Sequence, residues 1–227
     1  MSASPQLILD LGHRAAYGRE DFLVAPSNAE AVLWLDGWPD WPAAALTLHG
    51  PAGCGKSHLA QVWRKRSGAL LLAREELVVA GLGERLGTRR NAIVEDAERG
   101  VDEEALLHLH NLLAEAGGQL LLTSRTPPAR WRLALADLRS RLLAAPAVAV
   151  EAPDDALLSA LLVKLFADRQ LRVGAELIGF LVPRMERSFA SAARLVAGLD
   201  AAALAAQRPL TLPLARSVLE TLAGEEN

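Results

Sequence analysis

Cysteine is almost missing from this chain: Cys54 is the only one, which excludes an internal disulfide and suits a reducing compartment. Long apolar runs are missing as well, since none reaches the ~18 residues that a membrane span requires. Met1 to Gly12 has neither the basic start nor the extended apolar stretch of a signal peptide, so a cytoplasmic location is expected. Neither sign of charge dominates. With 24 Lys+Arg against 27 Asp+Glu the net charge is −3, and no block of like charges forms a basic arm. Bulk electrostatic attraction to DNA or to an anionic membrane therefore has no support. What the 227 residues do have is apolar substance: 51 % are hydrophobic, enough for one large domain or one with a small appendage.

The most specific pattern is Gly50-Pro51-Ala52-Gly53-Cys54-Gly55-Lys56-Ser57, which follows the apolar run Ala44 to Leu48 and precedes a helical stretch from about Lys56 to Arg66 that includes His58. This is the phosphate-cradling P-loop. Its glycines let backbone N–H groups converge on phosphate oxygens, Lys56 places a charge at the β/γ-phosphates, and the Ser57 hydroxyl ligates Mg²⁺. The positive end of the helix points at the same place. ATP or ADP with Mg²⁺ is the expected cofactor; the alternative is a glycine-rich turn. Cys54 is either a redox-sensitive thiol beside phosphate or simply a small loop residue.

Ala44–His49, Ala69–Leu72, Ala92–Val94, Gln119–Thr123 and Ala147–Val150 read as strands alternating with helices, which implies an α/β unit with a parallel sheet covered by helices. Past Glu151-Ala152-Pro153-Asp154 everything reads as helix. Asp154 or Asp155 can cap one through about Asp168, with others near Ala175–Pro183, Ser188–Ala206 and Pro213–Ala223. A small all-helical domain thus follows a boundary near residue 151.

Asn91-Ala92-Ile93-Val94-Glu95-Asp96 is an apolar strand ending in two acids, the form of a Walker B element. One acid would hold Mg²⁺ through water and the other would orient an attacking water; alternatively both only cap the next helix. Glu95 stands where Asp is usual, and its extra methylene predicts weak intrinsic hydrolysis. Thr123-Ser124-Arg125-Thr126-Pro127-Pro128 puts polar groups at the carboxyl end of the next strand, where ligands of open parallel sheets bind. Ser124 or Thr123 either senses the γ-phosphate or belongs to a strand-ending turn. His108 and His110 lie two apart on a helix and point different ways, which argues against a metal site. Trp34, Trp38 and Trp41 read as packing rather than as a base-stacking platform.

Taken together, in this order, these elements resemble the AAA+ ATPase module, and within it the DnaA branch with the Hda/HdaA-type regulatory inactivators of the replication initiator. The resemblance runs through Gln6–Leu11, Phe22–Asn28, the P-loop, Glu95-Asp96, Thr123–Pro128, Asp137–Leu142, Arg184–Leu199 and Leu210–Leu219. It implies a segment 1–20 that docks on the sliding clamp, an AAA+ nucleotide-binding domain 21–150 and a helical lid 151–227. Gln6-Leu7-Ile8-Leu9-Asp10-Leu11 is similar to the clamp-docking peptide: Leu7, Leu9 and Leu11 would share one side of an extended strand while Gln6 anchors its start. The family's arginine finger maps onto Arg141 in Asp137-Leu138-Arg139-Ser140-Arg141-Leu142, to act in trans on the ATP of DnaA. The sensor-2 position falls on Ala190, with Arg187 or Arg194 as substitutes or as surface charges. The implied function is negative control of replication initiation. Clamp and ATP-loaded DnaA are the partners, DNA is reached only through the clamp, and a homodimer is possible. A helicase loader driven by its own hydrolysis is the alternative; a direct reader of origin DNA fits less well with the slightly acidic charge.

Overall fold

In the computed structural model, which describes residues 23–207 and 209–225, the apolar runs pair into one parallel sheet. Helix α1 (Ala29–Asp36) leads to β1 (Ala45–His49), α2 (Lys56–Ser67), β2 (Leu70–Leu72), α3 (Leu82–Leu86) and β3 (Asn91–Val94). Then come α4 (Glu103–Glu115), β4 (Gln119–Ser124), α5 (Ala136–Ala144) and β5 (Ala147–Ala149). The sheet has five strands in the order β2-β3-β4-β1-β5. Each predicted strand is present with ends displaced by about one residue. All six residues of central β4 are buried, as expected of a strand covered on both faces and so written as a continuous apolar run.

The helices follow from caps and spacing. Asp102 caps α4 by accepting from the Ala105 N–H at 3.0 Å. Its buried residues Leu106, Leu109 and Leu113 repeat at helical intervals and meet Leu120, Leu122, Leu138 and Leu142 in one core cluster. Trp41 stacks on Trp63 with centroids 5.3 Å apart, Trp38 meets the same ring edge-on at 6.1 Å, and Trp41 Nε1 donates to the Trp34 carbonyl. These tryptophans are packing, as predicted.

Gly118 precedes β4 under a tight approach. A Cβ there would lie 1.6 Å from the Arg90 carbonyl oxygen, the group that accepts from Gln119 N–H where β3 and β4 begin to pair. Gly118→Ala is expected to lower stability by about 2 kcal/mol or more, because backbone must move. The check is a urea unfolding midpoint beside wild type; an unchanged midpoint would mean that the junction relaxes freely.

The second unit takes in the chain from Ala152 onward together with the described residues 23–25. It contains α6 (Asp155–Asp168), α7 (Ala175–Leu181), α8 (Phe189–Ala206) and α9 (Leu212–Glu225). Asp154 caps α6 by accepting from Leu157 N–H at 2.7 Å, and Ser188 caps α8 by accepting from Ser191 N–H at 3.0 Å. The helix expected to reach Pro183 ends at Leu181 and passes into a 3-10 turn, Val182–Arg184, because Pro183 has no N–H to continue the α-helical ladder. Leu158, Leu162, Phe166, Leu181, Leu195, Val196 and Leu199 form the core of this unit. Among the described residues, no helix is long and apolar enough to cross a membrane.

Candidate phosphate-binding site

The loop Gly50–Gly55 leaves the carboxyl end of β1 and turns directly into α2. Gly50 is pressed against the sheet: a Cβ would meet the Val150 carbonyl oxygen at 2.0 Å, and its N–H donates to the Ser124 carbonyl at 3.2 Å. Gly53 and Gly55 hold φ of +73° and +103°, conformations that side chains with a Cβ rarely adopt. Gly55 also takes the N-cap position of α2, where no side chain accepts a hydrogen bond and no acid sits in the first turn. The start of α2 thus has neither a capping side chain at Gly55 nor a negative charge in its first turn, an arrangement suited to an anion.

Lys56 is 8 % exposed, and its ammonium donates to the carbonyls of Gly50 and Pro51, both at 2.8 Å, with Cys54 Sγ at 3.6 Å. The buried charge is thus held over the loop by the loop's own backbone. Ser57 and His58 are exposed on the first turn of α2. Cys54 is buried, as a small residue under the loop would be.

Beyond β3, Glu95 Oε1 is buried with no hydrogen-bond partner among the described residues. A carboxylate oxygen kept from water without a donor is costly unless something satisfies it, and a hydrated Mg²⁺ fits that requirement. Asp96 is exposed in the left-handed region, φ +51°, its N–H donating to Thr123 Oγ1 at 3.2 Å. Because Asp102 caps α4, the helix-capping alternative for Glu95 and Asp96 does not hold. Ser124 is fully buried and its hydroxyl donates to the Thr126 carbonyl at 2.8 Å. That is the geometry of the strand-ending turn, with the hydroxyl proton committed to the loop rather than to a phosphate.

Two residues that sequence reading did not single out lie on the elements that follow or precede these loops. His49 ends β1 in register with Ser124, and Arg130 lies in the 3-10 turn Pro128–Arg130 that follows β4. Burial first, then the charges of Arg130 and Lys56, hold the His49 imidazole below its ordinary value. Position immediately before the P-loop could have flagged His49; no local signal flags Arg130.

Arg141 lies in the last turn of α5. Its guanidinium meets Asp137 side-on, Nε to Oδ1 at 3.2 Å and Nη2 to Oδ2 at 3.3 Å, with 38 % of its side chain exposed. Arg139 is exposed on the same helix. His110 is buried, its Nδ1 has no partner among the described residues, and burial, then Arg141, lowers its pKa; His108 is exposed. In the second unit Ala190 is exposed, Arg187 pairs with Asp155 at 2.8 Å and Arg194 lies 3.8 Å from Glu186. Both arginines therefore carry the surface-charge geometry. Gln6, Leu7, Leu9 and Leu11 lie outside the described residues.

Residues 154–219 match the family model of the Hda lid domain. The chain is 27 % identical over 248 aligned positions to the chromosomal replication initiator protein DnaA of Thermomicrobium roseum, covering 96 % of this chain and 53 % of that protein. It thus spans about half the length of this relative. Domain III of DnaA from Thermotoga maritima is structurally similar, with a TM-score of 0.74, 18 % identity, and coverage of 88 % of this chain and 94 % of that one. AMPPCP-bound DnaA from Aquifex aeolicus gives 0.65 at 16 % identity over 78 % and 62 %. At these identities the structural likeness carries the fold: a P-loop α/β module of the AAA+ type followed by a helical lid.

Proposed function

We propose that this DnaA-related AAA+ protein with an Hda-type lid is a nucleotide-bound regulator. It restrains chromosome replication by docking on the DNA-loaded sliding clamp and accelerating ATP hydrolysis by DnaA. The observation that carries the reading is the match of 154–219 to the Hda lid domain, in a chain whose Arg141 is presented on the outside of α5. Lys56 and the uncapped start of α2 support ATP or ADP binding. Mg²⁺ would be held by Ser57 and, through water, by Glu95, and when bound it supplies charge neutralisation at the phosphates. Lys56 needs little rearrangement to exchange carbonyl acceptors for phosphate oxygens. Asp96 remains the second acid for orienting water. Arg141 is assigned to the initiator's nucleotide, where a guanidinium stabilises charge that develops in the transition state.

Docking is assigned to Gln6, Leu7, Leu9 and Leu11, as the resemblance to clamp-binding peptides implies. Gln6→Ala with Leu11→Ala is expected to weaken clamp binding by roughly 30-fold or more, a typical loss for an interface anchor, with ADP affinity and melting temperature unchanged. The functional test is single-turnover hydrolysis of labelled ATP on DnaA, with and without clamp-loaded DNA. Stimulation should require the clamp and disappear in the double variant. Equal stimulation without clamp would overturn the docking assignment. No stimulation by the wild-type chain would overturn the regulatory reading and favour a loader driven by its own ATPase, for which the unpartnered Glu95 oxygen is the supporting observation.

A further inference from the structure

We propose that Glu98 is a positioning residue of the phosphate site: by holding the peptide between Ser124 and Arg125 it fixes Gly50, the first residue of the P-loop, where nucleotide binding needs it. The inference rests on the nucleotide reading of that loop and ties to it the turn that follows β3. Its basis is an unbroken run of hydrogen bonds. Glu98 Oε1 accepts from the Arg125 N–H at 2.9 Å, and the carbonyl of the same peptide unit, on Ser124, accepts from the Gly50 N–H at 3.2 Å. The Gly50 carbonyl in turn accepts from the Lys56 ammonium at 2.8 Å. A carboxylate thus stands at one end of the run and an ammonium at the other.

Each link is placed by its neighbours. The turn that carries Glu98 is docked on β4, with Asp96 N–H donating to Thr123 Oγ1 at 3.2 Å and Ala97 N–H to the Thr123 carbonyl at 2.9 Å. Arg99 N–H closes the turn on the Asp96 carbonyl at 3.1 Å, and Arg74 Nη1 holds it from the far side by donating to the Arg99 carbonyl at 3.0 Å. Because the N–H and C=O of a trans peptide point opposite ways, the Ser124–Arg125 unit reaches the acidic turn with one group and the P-loop with the other. A carboxylate on its N–H makes a charge-assisted bond and polarises the carbonyl, which strengthens the acceptor offered to Gly50. Gly50 has little room to settle elsewhere, since a Cβ there would already meet the Val150 carbonyl oxygen at 2.0 Å. Glu98 Oε2 is buried with no partner among the described residues, a cost that the one bond to Arg125 offsets only in part. Position rather than stability is what this side chain supplies.

The test follows exchange of the Gly50 amide by NMR in the nucleotide-free chain, and ADP affinity by calorimetry with Mg²⁺. It compares wild type with Glu98→Ala, Glu98→Gln and Glu98→Asp, and melting curves establish that each is folded. Glu98→Gln keeps an acceptor at the same reach without the charge, whereas Glu98→Asp keeps the charge one methylene short of Arg125. Glu98→Ala and Glu98→Asp should each speed Gly50 exchange and weaken ADP binding by about 10-fold, while Glu98→Gln stays within about 3-fold of wild type in both. If the alanine variant does not fold, the Gln and Asp variants make the same comparison. Unchanged Gly50 exchange in Glu98→Asp overturns the link to the P-loop. Faster exchange with unaltered ADP affinity overturns the positioning role and leaves Glu98 as a turn closure. Wild-type behaviour of Glu98→Asp with loss in Glu98→Gln would mean that charge alone acts, which also overturns it. In all three cases ADP binding by wild type leaves the nucleotide reading standing. Absence of binding by wild type overturns that reading and this inference with it.

Discussion

Arg141→Ala is expected to leave this protein folded, nucleotide-bound and able to dock, while abolishing its acceleration of ATP hydrolysis by DnaA. An arginine finger supplied in trans is worth about 10³–10⁵ in rate, so the loss should return the initiator to its basal rate. The local cost of the substitution is small. The Asp137 pair is an exposed i,i+4 contact, and such pairs contribute about 0.3–0.5 kcal/mol. Stability and function are therefore well separated in this variant. Single-turnover hydrolysis with clamp-loaded DNA reads the function, and a melting curve reads the fold. Undiminished stimulation would remove Arg141 from the proposed role and turn attention to Arg139, two residues earlier on α5.

Lys56→Ala should remove nucleotide binding by roughly 100-fold or more, since charge-assisted hydrogen bonds to phosphate contribute about 1.5–3 kcal/mol each. The backbone donors of the loop cannot replace that charge. In the absence of nucleotide a second effect is expected. The carbonyls of Gly50 and Pro51 lose their shared donor, and the loop over Cys54 loosens. Calorimetry with ADP on the folded variant is the measurement; wild-type affinity in Lys56→Ala would sink the P-loop assignment.

The parallel sheet was legible because its strands are short, largely apolar runs, and in β4, buried along its whole length, the run is the pattern demanded by cover on both faces. Asp154 and the start of α8 at Ser188 were legible because capping is a contact between residues three apart. Short α1 and α3 were not, since neither carries a distinctive cap or a long apolar period. Ser124 illustrates a different limit. Its type and its place at the end of β4 suit a phosphate sensor, yet the direction of its hydroxyl is decided by Thr126 and by the turn that Trp131 pins.

By itself the sequence determined the loop between β1 and α2, because the left-handed backbone it needs is written into closely spaced glycines, Gly53 and Gly55. It likewise determined the change from strands and helices to helices alone near residue 151. Only the tertiary structure decided that Glu95 holds a carboxylate oxygen without a donor among the described residues, that Asp102 and not Glu95 or Asp96 caps α4, and that His49 comes into register with Ser124. The physical reason is range. Local conformational preferences act over a few residues, whereas these placements depend on the register of β1 against β4, on how the following loop packs, and on which buried polar atoms that packing leaves without partners.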